Sequence, residues 1–447
     1  MSLMKHHTAN RTSSRNFPIF AILIVFLVLG FSSEALAQSQ NDGSIYSRFG
    51  LGLRKTFSSS KSQAMGGGGY ALNSNQYLNT SNPASYSDQY LTRFSGGLTY
   101  ESVTASATGG DSGRLASGSL SGINFGFPLK ATQTGLGFSF APYTRVNYRV
   151  DVEDQLNSDP DSDVSTPVRT SFKGNGGLQS LSAGIGHRFS SNLHVGASID
   201  VIFGILEDFQ QTRFNSASFT DRSVVSSTRL SGVSGLLGFR YVFTNMPTGQ
   251  GLVVAGTVHL PTTLKGNRSR ALVNSVDRDT LGTTTSGTVK LPLGFGLGLA
   301  YQPVPKWTLV SDLDFENWSA LESDFNFAGF DATGATNTSN RIRVSAGAEF
   351  WPAAQRPFAS WSSRVAYRLG LYTEQSYISP DPNEKIRTIG VTGGLSLPSL
   401  IPGTTIDLNI DVGQRGTTSN GLIQDRYIRF GLNLNFGERW FDRLPLG

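Results

Sequence analysis

The stretch Tyr427-Ile428-Arg429-Phe430-Gly431-Leu432-Asn433-Leu434-Asn435-Phe436 decides the fold class. Successive side chains of a strand point to opposite faces. Ile428, Phe430, Leu432, Leu434 and Phe436 therefore share one face, and Tyr427, Arg429, Gly431, Asn433 and Asn435 the other. Residues 405–413 repeat the pattern, with Ile406, Leu408, Ile410 and Val412 against Asp407, Asn409, Asp411 and Gly413. So do residues 341–350, with Ile342, Val344, Ala346, Ala348 and Phe350 against Arg341, Arg343, Ser345, Gly347 and Glu349. A soluble sandwich would bury the apolar face in a shared core; a membrane barrel would turn it to lipid.

The connections choose the barrel. Short ones (128–134, 190–192, 244–251, 303–306, 352–357, 398–403) alternate with longer polar ones (151–170, 209–223, 266–284, 322–339, 374–384, 413–421). Outer-membrane barrels have short periplasmic turns and longer outer loops. The runs between these connections number about fourteen, with both ends on the periplasmic side. The expected fold is all-β: a transmembrane antiparallel β-barrel over residues 91–437, followed by a short periplasmic tail, 438–447.

Composition agrees. Charged residues are 15% of the 447, aromatics 11%, and Gly numbers 51, a profile suited to pleated surfaces and tight turns. Lys5, Arg11 and Arg15, the apolar run 17–31 and the Ala35-Leu36-Ala37 site read as a secretory signal over 1–37, cleaved before Gln38. No later run reaches the length of a spanning helix. An exported chain of strands is expected in the outer membrane of a Gram-negative cell, with outer-membrane lipid around it. Cys is absent, so there is no disulfide framework, thiolate zinc site or lipidated Cys. The net charge of +5 carries no basic stripe interleaved with aromatics, which excludes nucleic acid as a partner.

Residues 38–90 differ from the rest. Ile45 to Leu53, Ala64-Met65-Gly66-Gly67-Gly68-Gly69-Tyr70 and Ser81-Asn82-Pro83-Ala84-Ser85-Tyr86 are dense in Gly, Ser and Asn. They read as a compact irregular segment that occupies the lumen as a hatch. The early strands leave room for it with a small-residue face of Gly135, Gly137 and Ser139. The later inward faces carry Asp312, Asp314, Glu316, Arg341, Arg343, Glu349, Arg364, Arg368, Asp407, Asp411 and Arg429. Charges of both signs would be costly in lipid. Inside a lumen they pair with one another or hold a plug.

These residues resemble the FadL/TodX-type outer-membrane transporters of hydrophobic compounds, in the style common among Bacteroidota. Ser81-Asn82-Pro83-Ala84 is similar to that family's NPA hatch motif. Val289-Lys290-Leu291-Pro292, Gly298 to Trp307 and Asp312 to Ser319 resemble its strand-turn-strand landmarks, and Gly184 to Phe189 with Asn192 to Ser198 its recurring hairpin. The resemblance implies a hatch-closed barrel of fourteen strands that releases apolar ligands sideways, through a kink in the third strand. Pro142 interrupts that strand here and is the candidate gate, because proline donates no ladder hydrogen bond. The family's ligand contacts do not carry over residue by residue.

Other constellations carry less. Gly66 to Gly69 lacks the following Lys-Ser or Lys-Thr of a phosphate loop and reads as a flexible or tightly packed hatch turn. Asp151, Glu153, Asp154, Asp159, Asp161 and Asp163 lack the spacing of a calcium loop and read as a solvated acidic loop. His187, His194 and His259 have no nucleophile elbow beside them. No enzyme, metal or cofactor is expected. Tyr301, Trp307, Trp318, Trp351 and Trp361, near strand ends, read as an interfacial girdle. The expected function is passive transport of a hydrophobic small-molecule ligand. The rivals are a barrel serving as scaffold or secretion-associated partner, with a periplasmic or outer-membrane protein beside it, and a polar-solute porin.

Overall fold

The computed structural model describes residues 43–72, 77–108, 112–157, 165–214, 221–243, 251–273, 278–328, 338–354, 356, 358–380, 384–399, 401 and 403–439. The expected signal segment 1–37, residues 38–42 of the expected hatch and most of the expected tail, 440–447, lie outside these residues. So do Asp159, Asp161 and Asp163 of the acidic loop.

Fourteen antiparallel staves close into a barrel. They are β1 (Thr92–Ser106), β2 (Ser112–Lys130), β3a (Thr134–Pro142) with β3b (Tyr148–Asn157), β4 (Ser165–Arg188), β5 (Leu193–Phe214), β6 (Arg222–Phe243), and β7a (Gly251–His259) with β7b (Thr262–Val273). There follow β8a (Thr285–Leu291) with β8b (Gly294–Val304), β9 (Trp307–Glu316), β10 (Arg341–Phe350), β11 (Ala366–Gln375), β12 (Arg387–Pro398), β13 (Thr405–Arg415) and β14 (Gln424–Glu438). The first and last staves pair, from Thr92↔Glu438 to Ser106↔Gln424, and this closes the ring.

The outward face settles the choice between sandwich and barrel. Phe94, Leu98, Ile199, Val233, Leu297, Leu369, Val391 and Phe430, spread around the ring, are exposed, Leu369 by 63%. A sandwich would bury such a row; a barrel in a membrane presents it to lipid. The alternation of the deciding stretch is as read: Tyr427, Asn433 and Asn435 are buried inside, while Ile428 and Phe430 face out.

Several connections taken for loops are strand. β3b pairs with β4 from Tyr148↔Gly174 to Asn157↔Ser165, inside the expected loop 151–170. β5 likewise continues to Phe214. Above the membrane both faces meet water, so the ladder continues without apolar alternation to mark it. Asp151 there pairs with Arg149 at 3.2 Å and Arg169 at 3.1 Å, so its part of the acidic cluster is ion-paired strand.

A proline stands at each of three interruptions: Pro142 in β3, Pro261 in β7 and Pro292 in β8. In β7 both halves keep β6 on one side and β8 on the other. In β3 they do not. β3a pairs with β2 from Lys130↔Thr134 to Ile123↔Phe140, and β3b pairs with β4 alone. Among the described residues, no ladder joins Ser112–Gly122 to Tyr148–Asn157.

Candidate functional site

The segment 43–91 lies among the inward side chains of the barrel. Its first part sits near the outer connection between β13 and β14, where Tyr46 donates to the Ile423 carbonyl and Ser44 to Asp425. Phe49, Leu51 and Leu53 pack into an apolar cluster with Val146, Leu178, Leu206, Leu230, Leu264 and Phe325. The segment then meets the interrupted wall. Leu53–Arg54 forms a two-residue antiparallel ladder with Thr144–Arg145. The Arg54 guanidinium donates to the Tyr143 carbonyl at 2.9 Å and lies 3.8 Å over the Tyr143 ring. Ser47 Oγ donates to the Asn147 carbonyl at 2.7 Å. The chain thus supplies its own partner at the break that Pro142 begins.

The middle of the segment is held by charge. A short helix, α1 (Ser60–Ala64), is capped by Ser59, whose hydroxyl accepts from the Ser62 amide. Lys61 reaches Glu349 at 2.5 Å, and Glu349 binds Arg368 at 2.7 Å. Arg368 also donates to the Tyr77 hydroxyl at 2.6 Å and lies 3.6 Å from Asp407, which accepts from Ser60. Arg341 joins Asp314 at 3.1 Å and Glu374 at 3.1 Å; Arg343 joins Glu374 at 2.8 Å and donates to the Gly66 carbonyl at 2.8 Å. Arg429 bridges Asp411 and Glu101, each at 2.9 Å. Asp312 accepts from the Tyr70 amide at 3.0 Å. Gly66 and Gly67 have φ of +82° and +79°, and a Cβ on Gly68 would stand 2.2 Å from Asp312 Oδ2. Of the flexible and the tightly packed turn that the sequence left open, the glycine run is the tightly packed one.

Two sequence expectations need correction. Arg364 is not in this network. It lies in the 3-10 turn Ser362–Arg364 before β11 and makes no ion pair among the described residues. The strand begins two residues later than its alternation suggested. Trp318 is no girdle residue: it is fully buried, stacked on Tyr377 at 4.2 Å, with Nε1 donating to Glu316. The 3-10 turn Trp318–Ala320 swings it inward. Trp307 and Trp361 are exposed near turns, as a girdle requires.

The last part of the segment holds the NPA triplet. Asn82 is fully buried and caps the 3-10 helix Pro83–Asp88. Its side chain accepts from the Ala84 amide at 3.0 Å and donates to the carbonyls of Tyr70 at 3.0 Å and Phe239 at 3.1 Å. Pro83 opens the helix, where its missing N–H is no loss. The small face of the early strands is its cradle. A Cβ on Gly196 would lie 2.4 Å from the Pro83 carbonyl carbon, and one on Gly137 2.6 Å from the Tyr86 ring. The sequence reading missed the helix's far end. There Asp88 binds the fully buried Arg240, with Arg188 at 3.6 Å and His194 Nδ1 at 3.4 Å. His194 also meets Ser87 Oγ at 2.6 Å.

Two cavities, of about 160 and 170 Å3, flank Arg54–Phe57. The second opens behind the interrupted wall, between Ser119–Ser121 and Pro142, Arg145 and Lys55. Burial pushes the Lys55 amine down to about 8, against the pull of Glu101 at 3.3 Å. A lowered folded-state value means the unfolded chain holds more protons between that pH and 10.5. Stability should therefore rise with pH across this window. Chemical unfolding followed from pH 7 to 10.5 checks it. Lys55→Met, which leaves Glu101 to Arg429, should flatten the rise, and an unchanged slope in that variant would assign it elsewhere.

The fold is that of solved outer-membrane channels. The Ralstonia pickettii toluene transporter TbuX is similar with a TM-score of 0.54 at 15% identity, over 86% of this chain and 99% of that one. The Pseudomonas putida toluene transporter TodX gives 0.51 at 14%, over 87% and 100%. A Pseudomonas aeruginosa FadL homologue gives 0.52 at 11%, over 86% and 99%. The molecule is thus an outer-membrane β-barrel of the FadL/TodX fold, with its own N-terminal segment in the lumen. No curated protein matches it. The chain belongs to the BamG family, whose model matches residues 19–445.

Proposed function

We propose that this barrel passes hydrophobic compounds, long-chain fatty acids or similar, passively across the outer membrane, with a hatch over residues 38–90 and lateral exit beside Pro142. The observation that carries this reading is the missing ladder between Ser112–Gly122 and Tyr148–Asn157. On β2 the break reaches down to Gly118–Gly122, level with the outward-facing Leu98 and Tyr100 of β1; unpaired backbone groups at that depth are costly, so a wall that keeps such a break has a use for it. An apolar solute would enter by displacing Phe49, Leu51 and Leu53 from their apolar bed, then reach the break as Leu53–Arg54 lets go. Asn82, Pro83 and Ala84 would hold the hatch's periplasmic end, and the charge network its side. The fold shared with toluene transporters supports the reading.

Deleting Thr144–Asn147, an even number of residues that preserves facing, should let β3 run on beside β2. Cells carrying the shortened barrel should lose most uptake of toluene and oleate while the barrel still shows heat-modifiable migration. Uptake unchanged in a correctly folded deletion would sink lateral exit. The filled lumen argues against a polar-solute porin, and an open-pore conductance of the native protein in planar bilayers would revive it. One observation favours a second reading, a scaffold or secretion-associated barrel with a protein partner. Phe49, Leu51 and Leu53 already fill the apolar bed, and both cavities are lined by charge. Native protein that retains no apolar ligand and restores no uptake would favour it.

A further inference from the structure

We infer that the outer rim of the lipid-facing wall carries a binding site for a phosphate-bearing outer-leaflet lipid, built by Arg229 and Lys265. The outward row of β5 is Ile199, Val201, Phe203 and Ile205, all exposed, and then Glu207. On β6 the outward apolar row ends at Val233, with Ser231 and Arg229 above it. Arg229 stands directly opposite Ile205, the last apolar residue of β5, and opposite Asn267 of β7b. Lys265 of β7b stands opposite Ser231. The two cations are thus diagonal neighbours on adjacent strands, about 7–8 Å apart at their backbones. Both are exposed, and their inward neighbours Leu230 and Leu264 are fully buried.

Neither cation has an ion pair among the described residues. Lys290 continues the diagonal, opposite Thr263, but Glu322 takes its amine at 2.6 Å. Glu207 sits opposite Ser227 and pairs with neither cation. Height decides the partner. A cation on the last apolar row lies where a long side chain reaches from hydrocarbon to headgroups. Arg recognises phosphate with paired donors, and Lys adds a point charge. A soluble acidic partner would be met higher, on the water-washed strand ends. The site therefore fits the phosphate of a glycolipid whose acyl chains lie against Ile205 and Val233. It is independent of what the lumen transports.

The test uses the full chain in detergent, read by native mass spectrometry. Probes are a bisphosphorylated acylated glucosamine disaccharide, its dephosphorylated form and inorganic phosphate. The wild type should retain the bisphosphorylated lipid about tenfold better than the dephosphorylated one. Arg229→Gln with Lys265→Gln should abolish that difference, while Lys306→Gln at a periplasmic turn should keep it. Equal retention of the two lipids, or an unchanged double variant, overturns the site. Displacement by millimolar inorganic phosphate would overturn the lipid in favour of a soluble anion.

Discussion

Asp88→Asn should destabilise the folded barrel by about 3–5 kcal/mol, the cost of leaving a buried charge without its partner. Arg240 is fully buried, and its Nε and second terminal nitrogen have no other partner among the described residues. Asp88 is its ion pair and also faces Arg188 and His194. The carboxylate is thus the counter-charge for the Arg240 and Arg188 guanidinium groups at the end of the Pro83–Asp88 helix. Urea midpoints of the heat-modifiable form, with and without the substitution, would measure the loss. Pairing Asp88→Asn with Arg240→Met should recover most of it, because the stranded charge is then gone. A single variant as stable as the wild type would mean that Arg240 finds other compensation.

The second large effect concerns the cradle. Gly196→Val should expel the Pro83–Asp88 helix and raise conductance severalfold. A Cβ at Gly196 would stand 2.4 Å from the Pro83 carbonyl carbon and 2.5 Å from the Ala84 nitrogen, and backbone cannot swing aside as a side chain can. Valine suits a strand, so β5 should still form and the strain falls on the helix. Limited proteolysis should then cut within residues 77–91, and planar-bilayer recordings should show larger steps. Gly96→Val, with nothing within 4 Å of the added carbon, is the control and should change neither. A variant that keeps the protected segment and the small conductance would show that the helix can reseat.

The alternation of Tyr427 to Phe436 was legible because lipid and lumen impose opposite demands on successive side chains. Where both faces meet water those demands coincide, so the outer lengths of β4, β5 and β6 carried no such mark. The inward charges were legible for the same reason, since lipid would reject them. Arg364 was misplaced because it keeps the parity of Arg368, while the chain there is still in a turn of three residues and not yet in the strand. The latch of Asp88, Arg188, His194 and Arg240 was not legible. Its members lie on the N-terminal segment and on β4, β5 and β6, and only the register of the barrel brings them together. The Leu53–Arg54 ladder was hidden too, since two residues cannot show a period.

The way the ring closes also constrains the order of assembly. Its seam joins the first stave to the last, so the circle stays open until residues near Glu438 have arrived. The filling is made of residues that precede the first stave. It runs from the outer connection near Ile423 to the periplasmic start of β1. Nothing so long can be threaded into a finished cylinder without drawing a chain end through its full height. A wall raised around its contents, as a cask is raised around a former, would need no such passage, and the seam between the first stave and the last would then be the final joint to close.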